Sequence, residues 1–229
     1  MTQRLLEICV DNTSDVTVAT NAGADRVELC ADLPIGGVTP DPQVLEHARK
    51  LTSAPIMVMI RPRGGDFVYT ADEVRVMETA IDHAKANGAD GVVLGCLTSN
   101  GALDIAKVSD LVARARPLPV TFHRAFDDAR EPESALDALV ELGIARLLTS
   151  GQARTAPQGK DLIRRLVQRA AGRLIVMPGC GLRAVNVRDV ADATGAVELH
   201  GSASTDGRTD PVEIRAMRRA LGIEGRPPS

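Results

Sequence analysis

Three observations predict a single-domain α/β protein of the (β/α)₈ TIM-barrel class. Eight short aliphatic runs recur along the chain with starts 21 to 35 residues apart, the spacing of strands that are each followed by one helix. Helix-period segments lie between them. The chain has 229 residues, 44% of them hydrophobic and 25% charged, enough to bury one sizeable core. Eight strand-helix pairs in this length suit a closed ring, whereas an open doubly wound sheet more often has about five to seven strands.

The runs are Leu5–Val10, Arg26–Leu29, Ile56–Ile60, Gly91–Leu94, Val120–His123, Arg146–Leu148, Leu174–Met177 and Val197–His200. Most are too short for helices and many carry β-branched residues, so they are expected to be buried parallel strands. The clearest helix runs from Ala71 to Asn87, where Val74, Met77, Ile81 and Ala84 make one apolar stripe and Gly88 ends it. Pro132 suits the first position of another helix. The phrases Gly23-Ala24-Asp25, Gly88-Ala89-Asp90 and Gly143-Ile144-Ala145 suit helix ends turning into the next strand. The barrel domain is expected over residues 1–221. Residues 222–229 are expected to be an unpacked tail, because Gly225-Arg226-Pro227-Pro228-Ser229 has no apolar side chain to bury.

Composition narrows the function. The net charge is −3 and basic residues alternate with acidic ones, so no stripe attracts nucleic acid. No apolar stretch reaches membrane-spanning length, and Met1-Thr2-Gln3-Arg4 leads into the first strand without a signal-peptide core; a cytosolic protein without a membrane partner is expected. Cys9, Cys30, Cys96 and Cys180 lack CxxC spacing, which argues against disulfides and structural zinc.

In such barrels the site lies at the carboxyl ends of the strands. There the chain places Glu7, Cys9 and Asp11, then Glu28 and Cys30, Arg61 and Arg63, and His123, Arg124 and Asp127. Thr149, Ser150 and Gly151, Gly179, Cys180 and Gly181, and His200, Gly201 and Ser202 follow. Alternation puts Glu7 with Cys9, Glu28 with Cys30, and Glu198 with His200 on common faces. Glu7, Glu28, His123, Asp127 and His200 are the acid-base candidates. Carboxylates in a barrel mouth need counter-charges, and Arg61, Arg63 and Arg124 are the ones at hand; a purely structural charge network explains them equally well. The same arginines with Ser150, Gly179, Gly181 and Ser202 would suit an anion. Phe67, Tyr69, Phe122 and Phe126, the chain's whole aromatic complement, fall beside these residues and suggest a shaped pocket. His47 and His83 fall on helices and are expected to be solvated. Cys9 and Cys30 would sit on neighbouring strands, where two thiolates suit copper(I), although buried cysteines are more commonly plain core residues. Met57, Met59 and Met177 are expected to be core filler.

Several phrases carry a resemblance: Leu5-Leu6-Glu7-Ile8-Cys9-Val10-Asp11, Ala24-Asp25-Arg26-Val27-Glu28-Leu29-Cys30, Gly36-Gly37-Val38-Thr39-Pro40, Met59 through Phe67, Val120 through Asp127 and Leu148-Thr149-Ser150-Gly151. They resemble the CutC family, known as copper homeostasis proteins, from the first strand to His200-Gly201-Ser202-Ala203. The resemblance implies a TIM barrel, a cytoplasmic setting and a role in copper handling, with copper(I) held at the cysteines that match Cys9 and Cys30. Two departures stand out. Cys180 occupies a place where the family commonly has glycine. The chain after strand eight is short, with Pro211-Val212-Glu213-Ile214-Arg215-Ala216-Met217 left to form the closing helix. Two functional expectations result. One is a copper(I)-binding homeostasis protein, with copper the one cofactor expected. The other is an enzyme or binding protein for a small anionic, in particular phosphorylated, metabolite, in which Arg61, Arg63 and Arg124 fix the anion and Glu7, Glu28 or His123 moves a proton. A homodimer is the expected assembly.

Overall fold

The computed structural model describes residues 4–223. Eight strands, β1 Leu5–Val10, β2 Arg26–Leu29, β3 Ile56–Met59, β4 Gly91–Leu94, β5 Val120–Phe122, β6 Arg146–Thr149, β7 Ile175–Pro178 and β8 Glu198–Gly201, pair in parallel in the order β7-β6-β5-β4-β3-β2-β1-β8. β7 lies against β8 and completes the ring. The helices are α1 Thr13–Asn21, α2 Pro42–Leu51, α3 Ala71–Ala86, α4 Ile105–Ala115, α5 Pro132–Glu141, α6 Lys160–Ala170, α7 Val187–Thr194 and α8 Pro211–Leu221. The predicted barrel is therefore present, with strand ends displaced by at most one residue.

Side-chain alternation divides each strand between two environments. Leu6, Ile8 and Val10, Val27 and Leu29, Ile56 and Val58, Val92 and Leu94, Val120 and Phe122, Leu147, Val176 and Leu199 join the helices in one continuous apolar core. Full burial of each such side chain contributes about 1.5–3 kcal/mol. The intervening residues face the barrel interior, where Cys30, Met57, Met59 and Val93 form a separate small cluster.

Local signals start and stop the helices. Thr70 and Glu73 make a reciprocal capping box at α3, whose Met77, Ile81 and Ala84 are buried. Pro132 opens α5, and Asp210 caps α8 ahead of Pro211, so the short C-terminal segment does supply the closing helix. The Gly-Ala-Asp phrases do more than turn the chain. The Asp25 carboxylate accepts from the Leu6 amide at 2.9 Å and Asp90 accepts from the Ile56 amide at 2.8 Å, each tying a turn to the start of the preceding strand. The domain runs slightly past its expected end, since Gly222 caps α8 and Ile223 is buried. The rest of the expected tail, 224–229, lies outside the described residues.

Candidate functional site

The floor of the barrel interior is an ion cluster. Arg26, the first residue of β2, is buried and donates to Glu7 and, at 2.6 Å, to Glu198; Arg146 reaches the same Glu198 oxygen at 2.8 Å. The carboxylates' counter-charge is thus Arg26, with Arg146 on Glu198. Of the arginines expected from the sequence to serve that purpose, Arg63 and Arg124 pair with other acids and Arg61 meets only backbone carbonyls. Burial alone would raise the Glu7 pKa, but Arg26 and His200 outweigh it and hold the carboxyl at about 2.

Above the floor, His200 Nδ1 lies 2.7 Å from Glu7 Oε1 and its Nε2 is 4.0 Å from Glu28 Oε1. Burial disfavours the imidazolium, yet the charges of Glu28 and Cys9 and the Glu7 hydrogen bond prevail and push its pKa well up. Glu28 is raised, chiefly by burial. Its Oε1 accepts from the Cys30 thiol at 3.3 Å, while Oε2 has no partner. Cys9 stands opposite Glu28 in the β1–β2 register. One atom each of Glu7, Glu28 and His200 fall within 4.8 Å of one another, a spacing that fits a metal ion. The alternation rule therefore brings Glu7, Glu28, His200, Cys9 and Cys30 together as expected.

Cys30 is fully buried, and burial followed by the Glu28 charge pushes its thiol well above the ordinary range. The Gly36-Gly37 turn covers it. Gly37 has φ +79°, and a Cβ there would stand 3.1 Å from Cys30 Sγ, so a side chain would strain the backbone and crowd the thiol. The turn is held by Arg61, which donates to the carbonyls of Ile35 at 3.1 Å and Gly37 at 3.0 Å, and to Gly65 at 2.9 Å.

The mouth above β3–β5 is built on Arg61 and His123. The guanidinium lies 4.9 Å from the Phe67 ring centre, and that ring lies 5.0 Å from the His123 ring. Gly95 lets the imidazole lie against β4, because a Cβ there would come within 2.7 Å of it. His123 Nδ1 accepts from the Ala125 amide at 3.2 Å. Burial and the Arg61 charge push its pKa down to about 3, so the ring is neutral.

The remaining sequence candidates serve the surrounding loops. Arg63 pairs with Glu73 at 2.5 Å and Asp66 at 2.9 Å. Arg124 pairs with Asp127 at 2.8 Å and meets Ser150 Oγ at 3.3 Å. Asp127 also accepts from Thr149, Ser150 and Gln152, splicing the loop after β5 to the loop after β6. Gly179 faces inward, where a Cβ would strike Leu148 and crowd His200; Gly181 packs on Thr155, and Ser202 is exposed. Cys180 adopts φ +76°, a conformation that favours glycine. Of the rings expected to shape a pocket, Phe122 and Phe126 are buried in the outer core instead, Tyr69 is buried at the edge of that core with Arg63 over its ring, and Phe67 remains partly exposed near the mouth. His47 and His83 are exposed, as expected.

Sequence reasoning passed over Arg26 because residues that begin strands lie far from the usual active face. Its signal was present: an arginine heads the buried strand Arg26-Val27-Glu28-Leu29 in the same alternation as Glu28.

These features define a barrel protein whose polar interior converges on two thiols, a histidine and two carboxylates. The CutC family profile matches residues 4–205. The human copper homeostasis protein cutC homolog is 45% identical over 218 residues, covering 95% of this chain and 80% of the relative. A CutC family protein of Chromobacterium violaceum is 48% identical over 200 residues, covering 87% and 81%. A crystal structure of a CutC protein from Streptococcus agalactiae superposes with TM-score 0.84 at 35% identity, covering 91% of this chain and all (100%) of that one. The chain belongs to the CutC family. A phosphoribosylanthranilate isomerase from Thermotoga maritima, at TM-score 0.65 and 15% identity, shares the barrel. Among the described residues no helix is long and apolar enough to cross a membrane.

Proposed function

We propose that the protein takes part in copper homeostasis by binding copper(I) between Cys9 and Cys30. The observation that carries this reading is the convergence of the two inward-facing cysteines on adjacent strands with Glu28 and His200. Copper(I) favours soft sulfur ligands. Met59, in the same interior cluster as Cys30, offers a thioether beside them. The donor set therefore fits this ion as cargo. Both cysteines are free thiols, which suits a reducing, cytosolic setting. Each thiol must lose its proton to bind, and Glu28, already accepting the Cys30 S–H, is placed to receive one. Entry to Cys30 requires the Gly36-Gly37 turn to move, so the Arg61 clamp governs access.

Titration of copper(I) under reducing conditions, with a competing chelator as reporter, tests the reading. Wild type is expected to bind one ion with an affinity that rises with pH, and the Cys9→Ser/Cys30→Ser variant to lose that binding. Equal affinity in the two proteins would end it.

A further inference from the structure

We propose that the mouth of the barrel binds a small carboxylate, held by Arg61 and His123 against the Phe67 ring. This site adjoins the cover of the thiols through Arg61, uses neither thiol and does not depend on the copper reading.

Arg61 is 5% exposed, yet no carboxylate lies within 4.0 Å of it among the described residues. Its hydrogen bonds go to backbone carbonyls, and Nε has no partner. A buried guanidinium without a counter-charge is unfavourable, and carbonyl dipoles compensate it only in part. The other two buried arginines among the described residues, Arg26 and Arg218, each have an acid beside them.

His123 supplies the second half. Because Nδ1 accepts the Ala125 N–H, the proton of the neutral ring is on Nε2. That N–H is buried and without an acceptor. The imidazole is fixed in place by Gly95 on one side and Phe67 on another, so it cannot turn to find one without losing both contacts. The Tyr69 hydroxyl, which Arg61 also influences, lacks a partner in hydrogen-bond geometry as well. Should Arg61 Nε swing onto the Tyr69 oxygen, that N–H is satisfied, and the phenol proton and the His123 Nε2 proton still await an acceptor.

The mouth thus presents several donors and one uncompensated positive charge. A buried water would satisfy donors but not the charge. A singly charged carboxylate satisfies both, and its organic portion can lie along Phe67. A phosphate dianion brings more charge and more acceptor positions than one guanidinium and these donors can match.

The test uses wild-type protein in metal-free buffer, with acetate, propionate and benzoate compared against sodium chloride and inorganic phosphate at matched ionic strength. Thermal unfolding and calorimetric titration are the readouts, together with the ¹⁵N resonance of His123 Nε2. At least one carboxylate is expected to raise Tm saturably and to move the Nε2 resonance. His123→Phe is expected to weaken that binding about tenfold or more, while His123→Gln, which keeps an N–H donor, retains most of it. Equal affinity in wild type and His123→Phe, an unmoved Nε2 resonance, chloride or phosphate matching the best carboxylate, or no saturable response would overturn the proposal. If His123→Phe does not fold, the resonance alone decides.

Discussion

The floor and the mouth of this barrel each bury an arginine, and the two are treated oppositely. Arg26 at the floor is gripped by two carboxylates, Glu7 and Glu198. Arg61 at the mouth touches only backbone carbonyls and aromatic rings. A fully paired charge holds strands together and has nothing left for a ligand. A charge stabilised only by dipoles keeps an electrostatic demand that a ligand can meet. Residue type and burial are the same in both places, so the difference lies wholly in the company each side chain keeps.

The sharpest way to break this contrast is Arg26→Met. It leaves Glu7 and Glu198 buried without their main partner, and urea denaturation is expected to show a loss of about 3–5 kcal/mol. Arg61→Met removes an unpaired charge together with three carbonyl contacts, so its cost should be smaller, about 2 kcal/mol. Its distinguishing sign is kinetic: the freed Gly36-Gly37 turn should let a thiol reagent reach Cys30 faster than in wild type. A larger loss for Arg61→Met than for Arg26→Met would invert the comparison.

His123 sharpens it through pH. The folded ring stays neutral down to about pH 3, whereas the unfolded one protonates near 6.5. Below pH 6.5 the unfolded chain therefore gains a proton that the folded chain refuses, and stability falls by up to about 1.4 kcal/mol per pH unit. His200 has the opposite sign, since its raised pKa gives stability that is complete below 6.5 and lost at higher pH. Between pH 6.5 and 4.5, urea midpoints of wild type should decline, and those of His123→Phe should decline less steeply. The smallest effect is expected on the outer surface. Asp137→Asn breaks an exposed pair with Arg169 and should leave the midpoint unchanged within error.

Almost the whole fold was legible in the sequence because strand length, alternation and helix caps are local properties. The pairing of Glu7, Glu28 and His200 was legible for the same reason: alternation decides which way each side chain points. The partner of each charge was not. Arg61 and Arg26 differ only in three-dimensional company, and nothing local to Arg61-Pro62-Arg63 indicates that its guanidinium would turn back to hold the Gly36-Gly37 loop. Phe122 misled because one step of register separates the inner face of β5 from the outer core, and Phe126 because it lies in the helical turn after β5, where strand alternation no longer decides direction.

Arg26 bridges the first strand, the second and the last. A chain emerging from the ribosome makes Glu7 and Arg26 early, but Glu198 arrives only after most of the protein has been synthesised. Until then the knot of charge is incomplete, and a growing barrel lacks the contact that seals its seam. Ring closure should accordingly be a late event in biogenesis, and chains truncated before β8 should be open, hydrated and attractive to chaperones.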